Sequence, residues 1–306
     1  MAALAAKWAA VIAMLAPVLS CAGQEGGVCS ANAKALFLQH EFAAAQAELQ
    51  GCVARDTNDN ASWELLGLTL ASEGDKEEAR ADLVRALSAV PESREFRINL
   101  AVFLAKNGRI DEADEAIQPL LGSSGDANLD RLIGYIRMQQ HEEREAITWF
   151  ERALQQAPDS VETLYRLGFA YHSVGDLEKA AALYRQVLEL DPDQFSARLQ
   201  LGKLLLLEGD YGKAEQELTR ASRIRPDYPS TWRYLSEAQL FMGKSQAALA
   251  SARTAVDRGS QDPRNYYQLG TVLTHLGENQ AANAELEIMQ KLRASRRWLP
   301  PDSPED

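Results

Sequence analysis

Four histidines and three cysteines are the residues of this chain whose chemistry would declare itself first. His40, His141, His172 and His275 are tens of residues apart, and none belongs to an H-E-x-x-H spacing that would seat a metal on one helix face. No nucleophile with an orienting carboxylate accompanies His172, the histidine with the most interesting neighbourhood. The glycines recur at helix contacts and turns and do not cluster into a phosphate-cradling loop. Asp75, Asp111, Asp176 and Asp210 stand in or beside those turns, where helix capping accounts for them. The sequence thus offers no catalytic residue, no metal site and no cofactor.

The elements that carry these residues are set by a repeating stretch, clearest from Val161 to Gln194. Leu164, Leu167 and Tyr171 are spaced three and four apart, one face of a helix. Gly175-Asp176 breaks that run. A second run, from Leu177 to Leu190, carries Ala180, Tyr184 and Val187 on one face and stops at Asp191-Pro192. The spacing predicts a helical hairpin in which Gly168 and Ala180 let two helix axes approach, with Tyr171 and Tyr184 filling the space beside them. One hairpin leaves an apolar face bare, so it must stack on copies of itself.

The copies are present. Asn60–Ser93 supplies Trp63, Leu66, Gly67, Leu70, Ala79, Leu83, Ala86 and Pro91 in the same frame. Residues 94–126 follow with Leu100, Ala101, Leu104, Ala113, Ile117 and Leu120, one residue short and interrupted by Pro119. Units at 127–160, 195–228, 229–262 and 263–296 keep the pattern, with Arg137 replacing a large apolar residue. A weaker copy, with Ala33, Leu36, Ala45 and Leu49, occupies 26–59. The reading is one all-α array over 26–296 and a short tail, 297–306.

Residues 1–22 open with Lys7 and an apolar run from Trp8 to Leu19, which fits an export signal better than a membrane span of roughly 20 apolar residues. Two outcomes compete: cleavage after Ala22, or lipidation of Cys21 within Val18-Leu19-Ser20-Cys21, which resembles a bacterial lipobox apart from Leu19. Either removes Cys21 from thiol chemistry. Cys29 and Cys52 then remain, early and late in the first hairpin and so at the same end of it; a disulfide there would staple the terminal repeat, and two buried free thiols are the other reading. An exported chain at the periplasm or cell envelope is the expected localisation. A net charge of -12 argues against nucleic acid as a partner.

The spacing W-x2-LG-x2-L followed by Ala, a large apolar residue, Ala and Pro, as in Trp63, Leu66-Gly67, Leu70, Ala79, Leu83, Ala86 and Pro91, resembles the tetratricopeptide repeat (TPR). The resemblance implies a right-handed α-solenoid whose first helices line a concave groove, and a protein-binding function. It turns the fifth and ninth residues of each first helix toward that groove: Glu64 and Leu68, Ile98 and Val102, Arg131 and Tyr135, Tyr165 and Phe169, Leu199 and Lys203, Arg233 and Glu237, Tyr267 and Thr271. Tyr135, Tyr165, Phe169 and Leu199 are the expected apolar contacts of a partner segment, with Arg131, Lys203 and Arg233 pairing with its acidic groups; packing between repeats is the competing use of the same residues. The carboxylate clamp for chaperone tails is missing, because no three successive units supply its Lys, Asn and Arg set. The implied function is a noncatalytic scaffold or adaptor of the cell envelope, or else a helper or targeting subunit of an envelope enzyme or assembly complex.

Overall fold

The computed structural model describes residues 28–55, 94–122 and 125–295, together with Ser62, Leu65, Leu66, Thr69 and Val84; the side chains at 28–30, 54, 95 and 96 are excepted. The expected signal segment, Cys21, most of the 60–93 repeat and the tail lie outside the described residues. Among the described residues there are fourteen α-helices and no strand. They fall into two compact units, one through Gln140 and one from His141. The boundary between them passes through the turn of the 127–160 repeat.

The first unit contains α1 (Val28–Leu38), α2 (Phe42–Arg55), α3 (Arg94–Lys106), α4 (Ile110–Ile117) and α5 (Ala127–Gln139). Ala33, Phe37, Ala45 and Leu49 are buried in its first hairpin, and Leu100, Leu104, Ala113 and Ile117 in the α3–α4 hairpin. Pro119 acts as the sequence indicates: α4 stops after eight residues and the chain tightens into a 3-10 turn over Gln118–Leu120, because proline cannot donate to the helical ladder. Arg137 on α5 keeps its charge by pairing with Asp114 of α4 at 3.0 Å. Cys52 is buried and disulfide-bonded.

The second unit runs through α6 (Glu143–Gln156), α7 (Val161–Ser173), α8 (Leu177–Leu190), α9 (Phe195–Leu207), α10 (Tyr211–Ile224), α11 (Pro229–Phe241), α12 (Ser245–Arg258), α13 (Pro263–His275) and α14 (Asn279–Ala294). In the second unit the hairpins stack in chain order as an α-solenoid, each second helix packing on the first helix of the next hairpin. Tyr184 is fully buried over Gly168, where a β-carbon would come within 2.8 Å of its ring; Leu218 sits over Gly202 at 2.7 Å in the same sense. Ser236 takes the corresponding place in the next hairpin and donates to the carbonyl of Ala248 at 2.9 Å, so its hydroxyl is satisfied in the core. Tyr171 has a different role from Tyr184. Half-buried, it donates to Glu151 of α6 at 2.6 Å, and burial together with that carboxylate pushes its hydroxyl up to about 12.

The hairpin turns share one backbone device. Gly108, Gly175, Gly209, Gly243 and Gly277 have φ of 74–84°, a region that L side chains avoid; His40 (63°) and His141 (61°) hold the same place. Asp176 and Asp210 then cap α8 and α10, accepting from the backbone N–H groups of Lys179 and Lys213. Asp111 falls inside the first turn of α4 and caps nothing, but its charge suits the helix N-terminus.

Candidate partner-binding face

Which face is free follows from the spacing of the helices in the second unit. The first helices of successive hairpins pack on one another, α9 on α11 and α11 on α13, whereas no comparable contact joins successive second helices among the described residues. A layer whose members touch while the other layer spreads is the inner side of a curve. This places α9, α11 and α13 on the inner layer of the second unit, and α7 is the first helix of the hairpin before them.

The residues expected at the groove divide between the two units. Ile98 and Val102 on α3, and Arg131 and Tyr135 on α5, are half-buried in the first unit, with Arg131 beside Asn128. Leu68 and Glu64 lie outside the described residues. The second unit gathers Tyr165, Phe169, Leu199, Lys203, Arg233 and Tyr267, but puts them to different uses. Leu199 is 4% exposed and belongs to the core, so it cannot present a side chain to a guest as expected. An aliphatic side chain at this position gains more from the inter-helix core than from solvent. Tyr165 packs against the same core, 5.8 Å from the ring of Tyr184, and burial raises its hydroxyl pKa against hydrogen bonds with Gln200 and Ser196. Arg233 is 9% exposed and is engaged within the fold: its guanidinium lies 4.3 Å from the Tyr234 ring centroid and 3.3 Å from the Ser230 hydroxyl.

What stays available is narrower. Phe169 is half-buried and meets His172 edge-on at 6.4 Å. Burial, and then the positive charge of Lys203, lower the pKa of His172. Lys203 is half-buried with its ammonium 5.4 Å from the Tyr234 ring, so Tyr234 lies against two cations. Burial raises the pKa of Glu237 and Arg233 opposes it. Tyr267, 55% exposed, stands out on α13, beside Thr271, which donates to its carbonyl at 2.9 Å.

Counting only the fifth and ninth positions misses Tyr234 at the sixth and the exposed Leu207 and Phe241 at the thirteenth. Aligning every position of the 34-residue frame would have found them, since Leu207 and Phe241 are one turn beyond Lys203 and Glu237 on the same face. The other histidines have local structural places. His40 and His141 form turns, and His275 stands in the last turn of α13. Among the described residues, no cluster of three His, Cys, Asp or Glu could hold a metal, and no helix is long and apolar enough to cross a membrane.

Comparison with known proteins supplies the family. Three family models, each described as tetratricopeptide repeat, match residues 70–134 and 172–240, residues 125–193, and residues 30–91, a continuous run from 30 to 240. The human protein O-mannosyl-transferase TMTC1 is 29% identical over 167 residues, covering 53% of this chain and 19% of that protein, so the chain spans under a fifth of this relative. Two solved structures share the fold. A tetratricopeptide repeat protein from Parabacteroides merdae has a TM-score of 0.57 at 18% identity, over 74% of this chain and 90% of that one. MamA from Desulfovibrio magneticus has a TM-score of 0.54 at 22% identity, over 57% and 99%. The chain belongs to the tetratricopeptide repeat family, and its fold is that of a protein-interaction scaffold.

Proposed function

We propose that this protein is an exported, noncatalytic adaptor of the cell envelope that holds an extended segment of a protein partner on the inner helices of its second unit. The observation that supports the binding face is the packing of α9 on α11 and of α11 on α13, the helices that carry Lys203, Tyr234 and Tyr267. Aromatic rings with cations beside them provide contact area and a polar handle, the combination that dominates protein interfaces. Export rests on the apolar stretch from Trp8 to Leu19 and the small residues after it. The noncatalytic reading rests on the structural places of the histidines.

Phe169→Ala with Tyr267→Ala tests the face better than a change at Tyr165, which would also open the core. The double variant should melt like the parent and lose at least tenfold in affinity for the partner recovered from envelope extracts. Unchanged affinity would move the site elsewhere. Mass measurement of the N-terminus distinguishes lipidated Cys21 from a chain cleaved after Ala22, and an intact Met1 terminus would contradict export by a cleaved signal.

A further inference from the structure

Resting on that reading of the inner face, the geometry points to a partner segment of defined chemistry: an extended stretch with a carboxylate and a bulky apolar side chain two residues apart, the carboxylate on Lys203 and the apolar group against Leu207 and Phe241. Three observations lead there. The first is charge. In a chain of net charge -12, Lys203 has no carboxylate at ion-pair distance among the described residues, and its ammonium instead lies 5.4 Å from the ring of Tyr234. A ring face attracts a cation but takes up none of its three N–H donors in a strong hydrogen bond. Arg233, by contrast, acts electrostatically on Glu237 and Asp262. The site available to an incoming acid is therefore the ammonium of Lys203.

The second observation is the apolar surface one helical turn further on. Leu207 is 70% and Phe241 59% exposed, on the same helix faces as Lys203 and Glu237 and four residues further on. The Phe241 ring is stacked on that of Tyr211, 4.7 Å apart at 11°. A ring fixed in this way loses little conformational freedom when a guest covers it.

The third is spacing. Four residues of α9 advance about 6 Å along the axis, and an extended chain returns a side chain to the same side every two residues, or about 6.6 Å. The match selects an acidic-x-apolar pattern running along α9. Separations of one or three residues place the second side chain on the wrong side.

The test uses the mature chain and fluorescein-labelled twelve-residue Gly/Ser peptides bearing one Asp and one Phe at separations of one to four residues, read by fluorescence anisotropy. A separation of two should bind at least tenfold tighter than one or three, and replacing Asp with Asn in the peptide should cancel that gain. Lys203→Met, which keeps the aliphatic stem, should abolish the preference for Asp over Asn while leaving the Phe contribution. Leu207→Ser with Phe241→Ser should do the reverse, with circular dichroism confirming that both variants stay folded. Equal binding at all separations, no effect of Lys203→Met, or no binding of any peptide would overturn the inference. If binding fell only on changing Phe169 and Tyr267, the inference would fail and the inner-face reading would stand. Concentration-dependent dimers in light scattering that disappear in the Leu207/Phe241 variant would put a second copy of the chain on this patch and also overturn it.

Discussion

Replacing Gly168 with alanine should destabilise the second unit, although alanine is the better helix former. A β-carbon at Gly168 would lie 2.8 Å from Cε1 of Tyr184 and 3.3 Å from Cβ of Leu183, where ordinary contact between carbons is about 3.5–4.0 Å. Tyr184 is fully buried and has nowhere to retreat. Overpacking of this kind costs about 1–3 kcal/mol, against a gain in helix propensity of about 1 kcal/mol, leaving a net loss of at most about 2 kcal/mol, with about 1 kcal/mol at the middle of that range. At about 2–4 °C per kcal/mol for a unit of this size, the melting temperature should fall by about 2–4 °C at that middle value and by at most about 8 °C. Gly212 is the internal control: it lies in α10 with nothing within 4 Å of a β-carbon, so Gly212→Ala should raise the melting temperature by about 2–4 °C, the propensity gain alone. The assay is calorimetric or circular-dichroism melting of both variants, with Gly168→Ala repeated on a Tyr184→Ala background, where its penalty should vanish. If Gly168→Ala melts at or above the parent temperature, or keeps its full cost once the ring is gone, the small-against-large packing account is wrong.

His141→Gly should stabilise by about 1 kcal/mol, because a β-carbon at φ 61° is strained and the side chain is 90% exposed; urea melting that shows no gain would place compensating contacts there. Arg137→Ala should cost about 2–3 kcal/mol by leaving Asp114 partly buried without its counter-charge, and Asp114→Asn in addition should recover part of that loss in the same melts. Because the pKa of His172 is lowered in the fold, the folded state holds fewer protons on it than the unfolded chain. Its contribution is fully present above the unfolded value of about 6.5 and is lost as pH falls toward the folded value. An NMR titration should therefore place its midpoint below 6.5, and Lys203→Met should move it upward; a midpoint indifferent to Lys203 would contradict that proximity.

The hairpin frame was legible because its signals repeat at a fixed period. Gly168 marks a helix contact, Gly175 a turn, and Pro119 an interruption, and the structure uses each accordingly, although Tyr184 and Leu183 are what lie over Gly168. Tyr171 and Tyr184 look equivalent in sequence, yet Tyr184 enters the hairpin core while Tyr171 reaches back to α6. The inner face was legible as a set of positions but not as a set of uses. Whether Leu199 faces a guest or the core depends on how closely α9 approaches its neighbours, which local periodicity does not report. The placement of Tyr234 beside both Lys203 and Arg233 joins two helices through side-chain reach. Likewise, the glycine position of each turn was visible, but that His40 and His141 adopt its positive φ required the backbone.

The central claim, that the inner helices of the second unit are where a partner is held, is tested most directly by position-specific photo-crosslinking. A benzophenone side chain is placed singly at Phe169, Lys203 or Tyr267 on the inner layer, or at exposed Arg185 or Arg253 on the second helices. Crosslinks to one partner species from the three inner positions, and none from the outer two, are the predicted result. Crosslinks to that partner from Arg185 and Arg253, with the inner positions silent, would contradict the claim.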